Sequence, residues 1–487
     1  MGWQYVRLAE RFQLMPGGVD QYIPRMLNNS LLRAALLACL VVPPANAQSR
    51  RRLVARLDSI AAAPVKAGNV AGLAVAVVRG RDTLLKRGYG FADLENNVRV
   101  TPKTVFRIGS ITKQFTSSAV MQLVEQGKIG LDDDITKYLP NIPTHGRRIL
   151  VRHLLNHTSG IPSYTDIGPR FGQVVRMDLA HDSLVAIIAN DSLLFEPGTH
   201  FYYNNTGYYV LGMLLEKVTG KPYGEYLAEH LFTPLGLKGT TYCDTRRLIP
   251  NRAQGYDRGR DGFTNADYIS MDLPYAAGSL CSTVEDLVAW TTKVAGGQVV
   301  SAASYSEMTT PVRFATGRPM TYGFGLASDT LGGRRVISHG GGINGFVSQL
   351  TYLPQDSLIV AVLTNTASAA ASTVADAIVR AVIGVPVVAQ TPPKDLPLTA
   401  EERARYVGDY DQTRPDGSRR RIRIVEENGS LMFRIDSTRS ARLMSQGGNT
   451  FVVAQPVGGR IIVDVIDGRV TGFVTAGGRP LEAVRVP

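Results

Sequence analysis

The apolar positions divide the chain into stretches of different period. Leu53, Leu57 and Ile60 recur at helical spacing, which predicts a helix over about residues 53–65. Two strands follow, the continuous apolar run Ala71–Val78 and the shorter Thr83–Arg87, with Gly80, Arg81 and Asp82 as the turn between them. A second helical pattern starts at Ser110, buries Phe115, Ala119 and Leu123, and runs to about Gln126, where Gly127 suits a helix C-terminus. From there to about residue 300 the chain reads as helices and polar loops. Strands return near Tyr322–Leu326, Arg335–Ser338, Val347–Leu353 and Leu358–Thr364, and a last helix is predicted over Ser368–Ile383. Strands at both ends of a helical middle imply an α+β domain. One antiparallel sheet is closed by both termini and flanked by helices, and a helical region is inserted between its halves.

The texture changes after residue 385. Pro386–Pro397 is proline-rich and reads as a linker. Beyond it, Arg421–Val425 and Leu431–Ile435 flank Glu426-Glu427-Asn428-Gly429, and Ile461–Ile466 leads through Asp467-Gly468 to Val470–Val474. Asn-Gly and Asp-Gly between alternating strands are strong hairpin signals. The predicted organisation is therefore a domain over 53–385, a linker over 386–398 and a small all-β domain over 399–487. The tail carries no catalytic pattern.

At 44% apolar and 19% charged residues, the 487-residue chain has the composition of a soluble globular protein. Its formal charge of +12 raises the question of a nucleic-acid partner. The arginines are scattered, however, apart from Arg50–Arg52 and Arg419–Arg421, and neither run is interleaved with aromatics, so no nucleic acid is expected. Leu31–Val42 is a short apolar run with Arg33 near its start, followed by Pro43-Pro44-Ala45-Asn46-Ala47. This is the pattern of a signal peptide beginning at Met26 and cleaved after Ala47, so residues 1–47 read as an upstream extension and an export signal. The mature protein would start at Gln48 and be periplasmic or secreted. The run falls short of the roughly 20 residues that span a bilayer, and no later stretch is long enough, so no transmembrane segment is expected. Leu36-Leu37-Ala38-Cys39 loosely resembles a lipoprotein box, but Leu37 is bulky and the Ala-Asn-Ala site follows, so no lipid anchor is expected at Cys39. Cys243 and Cys281 would remain, and their pairing is open.

Candidate chemistry begins at Ser110-Ile111-Thr112-Lys113. Residues three apart on a helix share a face, so the Lys113 amine can reach the Ser110 hydroxyl. A lysine kept neutral by burial can take that proton and make the serine a nucleophile. A serine at a helix start also lies near free backbone N–H groups, which can stabilise an oxyanion. Two other places carry comparable density. His200-Phe201-Tyr202-Tyr203-Asn204-Asn205 holds two overlapping Tyr-x-Asn pairs, Tyr202 with Asn204 and Tyr203 with Asn205. Ser338-His339-Gly340-Gly341-Gly342 follows a strand, and such glycine density lets a backbone approach a ligand closely. Rival schemes lack their parts. The His-Gly-Gly-Gly run fits the α/β-hydrolase oxyanion motif, but that scheme needs a Gly-x-Ser-x-Gly elbow, which does not occur here. His153 and His157 are four apart with no glutamate between them, so neither a metal site nor a cofactor is expected.

Taken in order, these three places resemble the serine hydrolases related to class C β-lactamases and penicillin-binding proteins. That family reads Ser-x-x-Lys, then Tyr-x-Asn, then Lys-Thr-Gly or His-x-Gly. Phe106-Arg107-Ile108-Gly109, Gly130-Leu131-Asp132-Asp133 and Leu154-Leu155-Asn156-His157-Thr158-Ser159-Gly160-Ile161 add further matches, over roughly residues 53–385. The resemblance implies a β-lactamase/transpeptidase-like fold, and the tail resembles the small barrel that follows some members. The family pattern Phe-x-Tyr-Ser-Asn-x-Gly-Tyr selects Tyr203 and Asn205 over their neighbours. By resemblance, Ser110 forms an acyl-enzyme and Lys113 and Tyr203 share its proton, with the choice of base open. Asn205 binds the substrate amide or holds Lys113. The N–H groups of Ser110 and Gly342 form the oxyanion hole, His339 and Gly341 line the far wall, and Tyr164 faces the cleft. His339 stands where antibiotic-hydrolysing members usually carry lysine. A peptidase or esterase of the D-Ala-D-Ala carboxypeptidase or esterase type is therefore expected before a true β-lactamase on the same site. A non-catalytic β-lactam- or peptide-binding sensor is the alternative of another class, and such proteins usually lose the serine or the lysine. The partner is a small-molecule or peptide substrate, while its identity, the oligomeric state and the role of the tail are not legible.

Overall fold

The computed structural model describes residues 45–314, 320–386, 395–413, 419–435, 439–454, 459–476 and 482–486. The signal stretch up to residue 44, with Met26 and Cys39, and most of the linker lie outside them. Helix α1 spans Ala45–Lys66, longer than the spacing predicts. The first two strands are β1 (Gly72–Arg79) and β2 (Asp82–Asp93), followed by the short β3 (Val98–Arg99). Helix α2 covers Thr112–Glu125 and helix α3 covers Asn205–Thr219. After the helical region come β4 (Ala327–Leu331), β5 (Arg334–Ile343), β6 (Phe346–Leu353), β7 (Leu358–Thr364) and helix α4 (Ala370–Ile383).

The seven strands form one sheet in the order β3-β2-β1-β7-β6-β5-β4, with every neighbour antiparallel. The first and last long strands meet at its centre, where Leu73 pairs with Thr364 and Arg79 with Leu358. Successive side chains of a strand face opposite ways, so the unbroken apolar run in β1 means that both faces are covered. Leu73, Val75 and Val77 join Leu57 of α1 and Val374 and Ile378 of α4 in one core. The intervening Ala74 and Ala76 belong to the larger core of the helical region, with Phe115, Leu287 and Trp290. Their small side chains leave room for the helix Val284–Ala295, which packs against β1 and β7. Trp290 stacks on Phe115 with ring centroids 3.9 Å apart and donates its indole N–H to Gln114 at 3.2 Å.

Two sequence readings are corrected. Tyr322–Leu326 is not a strand: Tyr322 makes one isolated bridge to Ala327, and Gly325 adopts φ +70°. A Cβ there would lie 2.7 Å from the Lys113 carbonyl, so this segment is shaped by its packing on α2 rather than by a strand ladder. The strand seen as Arg335–Ser338 extends to Ile343 and carries the glycines within it, paired Gly341 to Ser348 and Gly342 to Val347. The helical region also contains short strands. Leu280–Ser282 pairs with Phe106–Arg107 on one side and Thr241–Tyr242 on the other, and a disulfide joins Cys243 to Cys281 there.

The tail forms a closed, all-antiparallel barrel of eight strands from Gly408–Thr413 to Glu482–Arg485, in which Tyr410 pairs with Arg485 to close the ring. Tyr410, Ile422, Phe433, Phe451 and Phe473 fill its interior. The hairpin turns have positive φ at Asn428 (48°) and Gly429 (72°) and at Asp467 (48°) and Gly468 (74°), the twist that two-residue hairpins require. Among the described residues no helix is long and apolar enough to cross a membrane.

Candidate active site

Ser110 sits in a 3-10 turn, Gly109–Ile111, that runs directly into α2. Gly109 has φ +51°, and a Cβ on it would fall 2.8 Å from the Gly342 nitrogen. Glycine is therefore required twice over, for the left-handed backbone and for the approach of β5. Gly341 serves the same approach, since a Cβ there would meet the Ile108 carbonyl oxygen at 2.0 Å and Ser348 Oγ at 2.4 Å. Ser348 donates to that carbonyl at 2.8 Å and ties sheet to turn. The glycine run thus brings a sheet strand against the turn that holds Ser110.

Lys113, one turn on, has no solvent exposure. Its Nζ lies 3.1 Å from Ser110 Oγ, 2.8 Å from Asn205 Oδ1 and 2.9 Å from the Ala277 carbonyl oxygen. Burial pushes its pKa well below that of an ordinary lysine. Two of the three partners are carbonyl oxygens, which only accept. A neutral amine has two N–H bonds and one lone pair, so with both N–H bonds taken the lone pair is left for the Ser110 hydroxyl. The amine also lies 4.8 Å from the centre of the Tyr203 ring.

Tyr203 and Asn205 are delivered by the segment entering α3. Asn204, with extended backbone, caps the helix by accepting from the Gly207 N–H at 2.8 Å. The overlapping Tyr-x-Asn pairs are thereby separated, with Asn204 structural and Asn205 turned to Lys113. The Asn204 N–H donates to His157 Nδ1 at 3.1 Å, the Asn205 N–H to Ser163 Oγ at 3.2 Å and the Tyr164 N–H to Thr206 Oγ1 at 2.9 Å. His157, buried and with its pKa pushed well down by desolvation, is a hydrogen-bond acceptor under this loop. The Tyr203 hydroxyl interacts with Ser110, and burial raises its pKa above the ordinary phenol value.

Ser110, Tyr164, Asn205 and Gly342 line one cleft of about 160 Å³. Phe171, Ile269, Leu273 and Ile343 give it an apolar wall, and Thr165 and Asn344 add polar groups. His339 and Gly341, expected on the far wall, stand behind these lining residues, as Lys113 and Tyr203 do. His339 is 7% exposed and lies in an aromatic cluster, with ring centroids 5.6 Å from Tyr322 and 6.1 Å from Tyr203. Its Nδ1 is 2.5 Å from the Gly340 carbonyl oxygen, an acceptor, so Nδ1 carries the proton and Nε2 accepts from the Tyr322 hydroxyl at 2.8 Å. Burial, with Lys113 nearby, lowers its pKa to about 4. The sequence reading missed the Ala277 carbonyl and the wall residues Phe171, Ile269 and Leu273. A backbone acceptor leaves no residue-type signal, and the wall residues are apolar positions brought together only by folding.

The fold and this site define a class. The beta-lactamase family model matches residues 57–384, and the chain belongs to that family, as a hydrolase of β-lactamase fold. It is 29% identical over 407 residues to a D-aminopeptidase of Gluconobacter oxydans (strain 621H), covering 82% of this chain and 75% of that protein. It is 29% identical over 293 residues to Penicillin-binding protein 4* of Bacillus subtilis (strain 168), covering 57% of this chain and 64% of that protein. This chain therefore spans less than two thirds of that second relative. Among solved structures, the D-amino acid amidase of Ochrobactrum anthropi SV3 with L-phenylalanine amide superposes with a TM-score of 0.61 at 27% identity, covering 68% of this chain and 99% of that one.

A buried amine held neutral has a cost to folding. Burial disfavours the proton at Lys113 in the folded chain relative to the unfolded one, so stability from this group is lost as pH falls below the ordinary lysine value. Lys113→Met removes that pH-dependent cost but leaves the Asn205 and Ala277 oxygens without their donor, so its stability relative to wild type is expected to be more favourable at pH 7 than at pH 10. Urea unfolding at pH 7 and pH 10 checks this. A stability difference between the two proteins that does not change between pH 7 and pH 10 would contradict the depressed pKa.

Proposed function

We propose that the chain is an exported serine hydrolase that cleaves an amide or ester bond through an acyl-enzyme on Ser110. The substrate class is a D-amino peptide, a peptidoglycan-type peptide or a small ester. The observation that carries this reading is the amine of Lys113, 3.1 Å from Ser110 Oγ, with both its N–H bonds engaged by carbonyls.

On this reading Lys113 accepts the Ser110 proton as Oγ attacks the substrate carbonyl. Negative charge forms on the carbonyl oxygen and is stabilised by the Ser110 and Gly342 N–H groups. Tyr203 stays protonated at neutral pH because its pKa is raised, and so serves as the relay that passes a proton to the leaving amine or alcohol. Asn205 fixes Lys113 through Oδ1, while its Nδ2, 3.3 Å from Thr165 Oγ1, faces the same side as Tyr164. Water then enters, gives up a proton by the same route in reverse, and releases the acid product and Ser110. His339 is uncharged at neutral pH, so it supplies no fixed cation for a substrate carboxylate. This favours esters and D-amino peptides over β-lactams. Lys113 and Ser110 are both present and in contact, which favours an enzyme over a binding sensor. The relatives named D-aminopeptidase and D-amino acid amidase support the same substrate class. The Cys243–Cys281 disulfide supports export, since such bonds persist in oxidising compartments.

Ser110→Ala is expected to abolish turnover and covalent labelling by a fluorophosphonate, read by intact mass, while the far-UV spectrum is unchanged. Near-normal turnover in this variant would end the nucleophile assignment. The wild type is expected to hydrolyse p-nitrophenyl acetate and D-amino acid p-nitroanilides in preference to nitrocefin, and a kcat/KM for nitrocefin of about 10⁶ M⁻¹s⁻¹ or more would contradict the substrate class. Protein recovered from the cell envelope is expected to begin at Gln48 on N-terminal sequencing, and retention of residues 1–47 would refute export by this signal.

A further inference from the structure

A second cavity, of about 280 Å³, is lined by the end of the short helix Val151–Leu155 and by the segment Thr310–Arg313. What these elements present to the open space is a set of hydrogen-bond donors. Arg152 and Arg313 supply two guanidinium groups, and Glu307 is the single acid of the described lining. That acid is already taken, since Arg152 Nη1 lies 3.2 Å from its Oε1. Arg313, at an exposed position, has no hydrogen-bond or ion-pair partner among the described residues. Val312 and Phe324 give the cavity an apolar side.

Two further side chains of the lining are independent signs of a ligand. Asn156 is 6% exposed, and its Oδ1 accepts from the Thr158 hydroxyl at 2.7 Å. Its Nδ2, which carries two N–H donors, has no partner among the described residues. Buried amide groups are almost always paired, so this one has a place for an acceptor. His153 makes the same demand. The Leu150 N–H donates to its Nδ1 at 3.3 Å, so the ring proton sits on Nε2. Burial, with Arg152 nearby, lowers its pKa to about 4, and the ring is a neutral donor at pH 7. Nε2 also has no partner among the described residues, and Gly198 keeps it uncovered, since a Cβ there would lie 3.0 Å away. The carbonyls at the helix end are spoken for: that of Arg152 takes the Asn156 N–H at 3.0 Å and that of His153 takes the Thr158 N–H at 2.8 Å. A free guanidinium fork matches a carboxylate, while two neutral N–H donors suit an uncharged oxygen. We infer that this cavity binds a small organic carboxylate that carries a second oxygen acceptor. Its carboxylate is held by Arg313, its other oxygen by Asn156 Nδ2 and His153 Nε2, and its apolar body rests against Val312 and Phe324. The site is distinct from the Ser110 cleft, with which it shares no described lining residue.

The test is calorimetric titration of the full chain at low salt with hippurate, which joins a carboxylate, an amide oxygen and an apolar ring. Hippuramide is the uncharged counterpart, and inorganic phosphate is the anion without an apolar body. Hippurate is expected to bind with a Kd of about 1 mM or tighter, and the other two about tenfold more weakly or not at all. Arg313→Gln, at an exposed position, is expected to weaken hippurate by about tenfold. Asn156→Asp keeps the acceptor for Thr158 but sets a carboxylate against the ligand oxygen, and a loss of about tenfold or more is expected. Should that buried variant fail to fold, Arg313→Gln decides alone. Absence of hippurate binding, equal binding of hippuramide or phosphate, or an unchanged Kd in a folded variant would overturn the inference. Neither substituted residue lines the Ser110 cleft, so an acid seated there instead would leave both variants binding as wild type and would overturn it equally. No arm depends on turnover, so a failure of the proposed activity leaves all of them readable.

Discussion

A lysine amine with no access to solvent, held between a serine hydroxyl and two carbonyl oxygens, is the constraint on which the rest of the structure depends. Removing an ammonium from water without a carboxylate partner is so unfavourable that the group gives up its proton instead. No carboxylate is among the partners of Lys113, and neutralising it by an ion pair would have restored the charge and removed the lone pair. The two carbonyl acceptors come from distant parts of the chain, Asn205 at the start of α3 and Ala277 in the turn Tyr275–Gly278. Much of the helical region can be understood as the frame that holds them there. Thr116 on α2 donates to the Ala276 carbonyl at 2.7 Å, and the loop before α3 is tied through His157, Ser163 and Thr206.

The sheet contributes through the absence of side chains. Gly109 and Gly341 let β5 and the Ser110 turn approach at backbone distance, and any Cβ at either place would have to displace backbone atoms. Gly342 is thereby brought to the same cleft as Ser110. The Ser110 turn and Lys113 belong to the start of α2 and Gly342 to β5, so the cleft lies where the two halves of the fold meet. Packing of small alanines from β1 against the helix Val284–Ala295 keeps those halves at fixed distance.

The period of apolar residues made the sheet and its two-sided burial legible, because β1 and β7 are nearly continuous apolar runs and the flanking helices carry a clear helical stripe. Ser110, Lys113 and the Tyr-Asn segment were legible as well, since their spacing is local or their residue types are rare in combination. Asn204 against Asn205 was not separable by spacing. Only the cap that Asn204 makes to Gly207 assigns it to the backbone. His339 was read from its position in the motif, while the hydrogen bond that fixes its ring comes from Tyr322, which no motif marks. Tyr322–Leu326 was misread as a strand because its alternation is apolar, while Gly325 answers to α2 and Gly323 to the backbone at Met308, contacts that no local pattern encodes.

The central claim, a neutral Lys113 that activates Ser110, is tested most directly by the pH dependence of the second-order rate of Ser110 phosphonylation by a fluorophosphonate. The account expects the rate to rise with pH through a single inflection well below the ordinary lysine value of about 10.4 and then to level off. In Tyr203→Phe the inflection is expected to stay in place even where the plateau falls. A rate that inflects at the ordinary lysine value, or an inflection that vanishes with the Tyr203 hydroxyl, would contradict it.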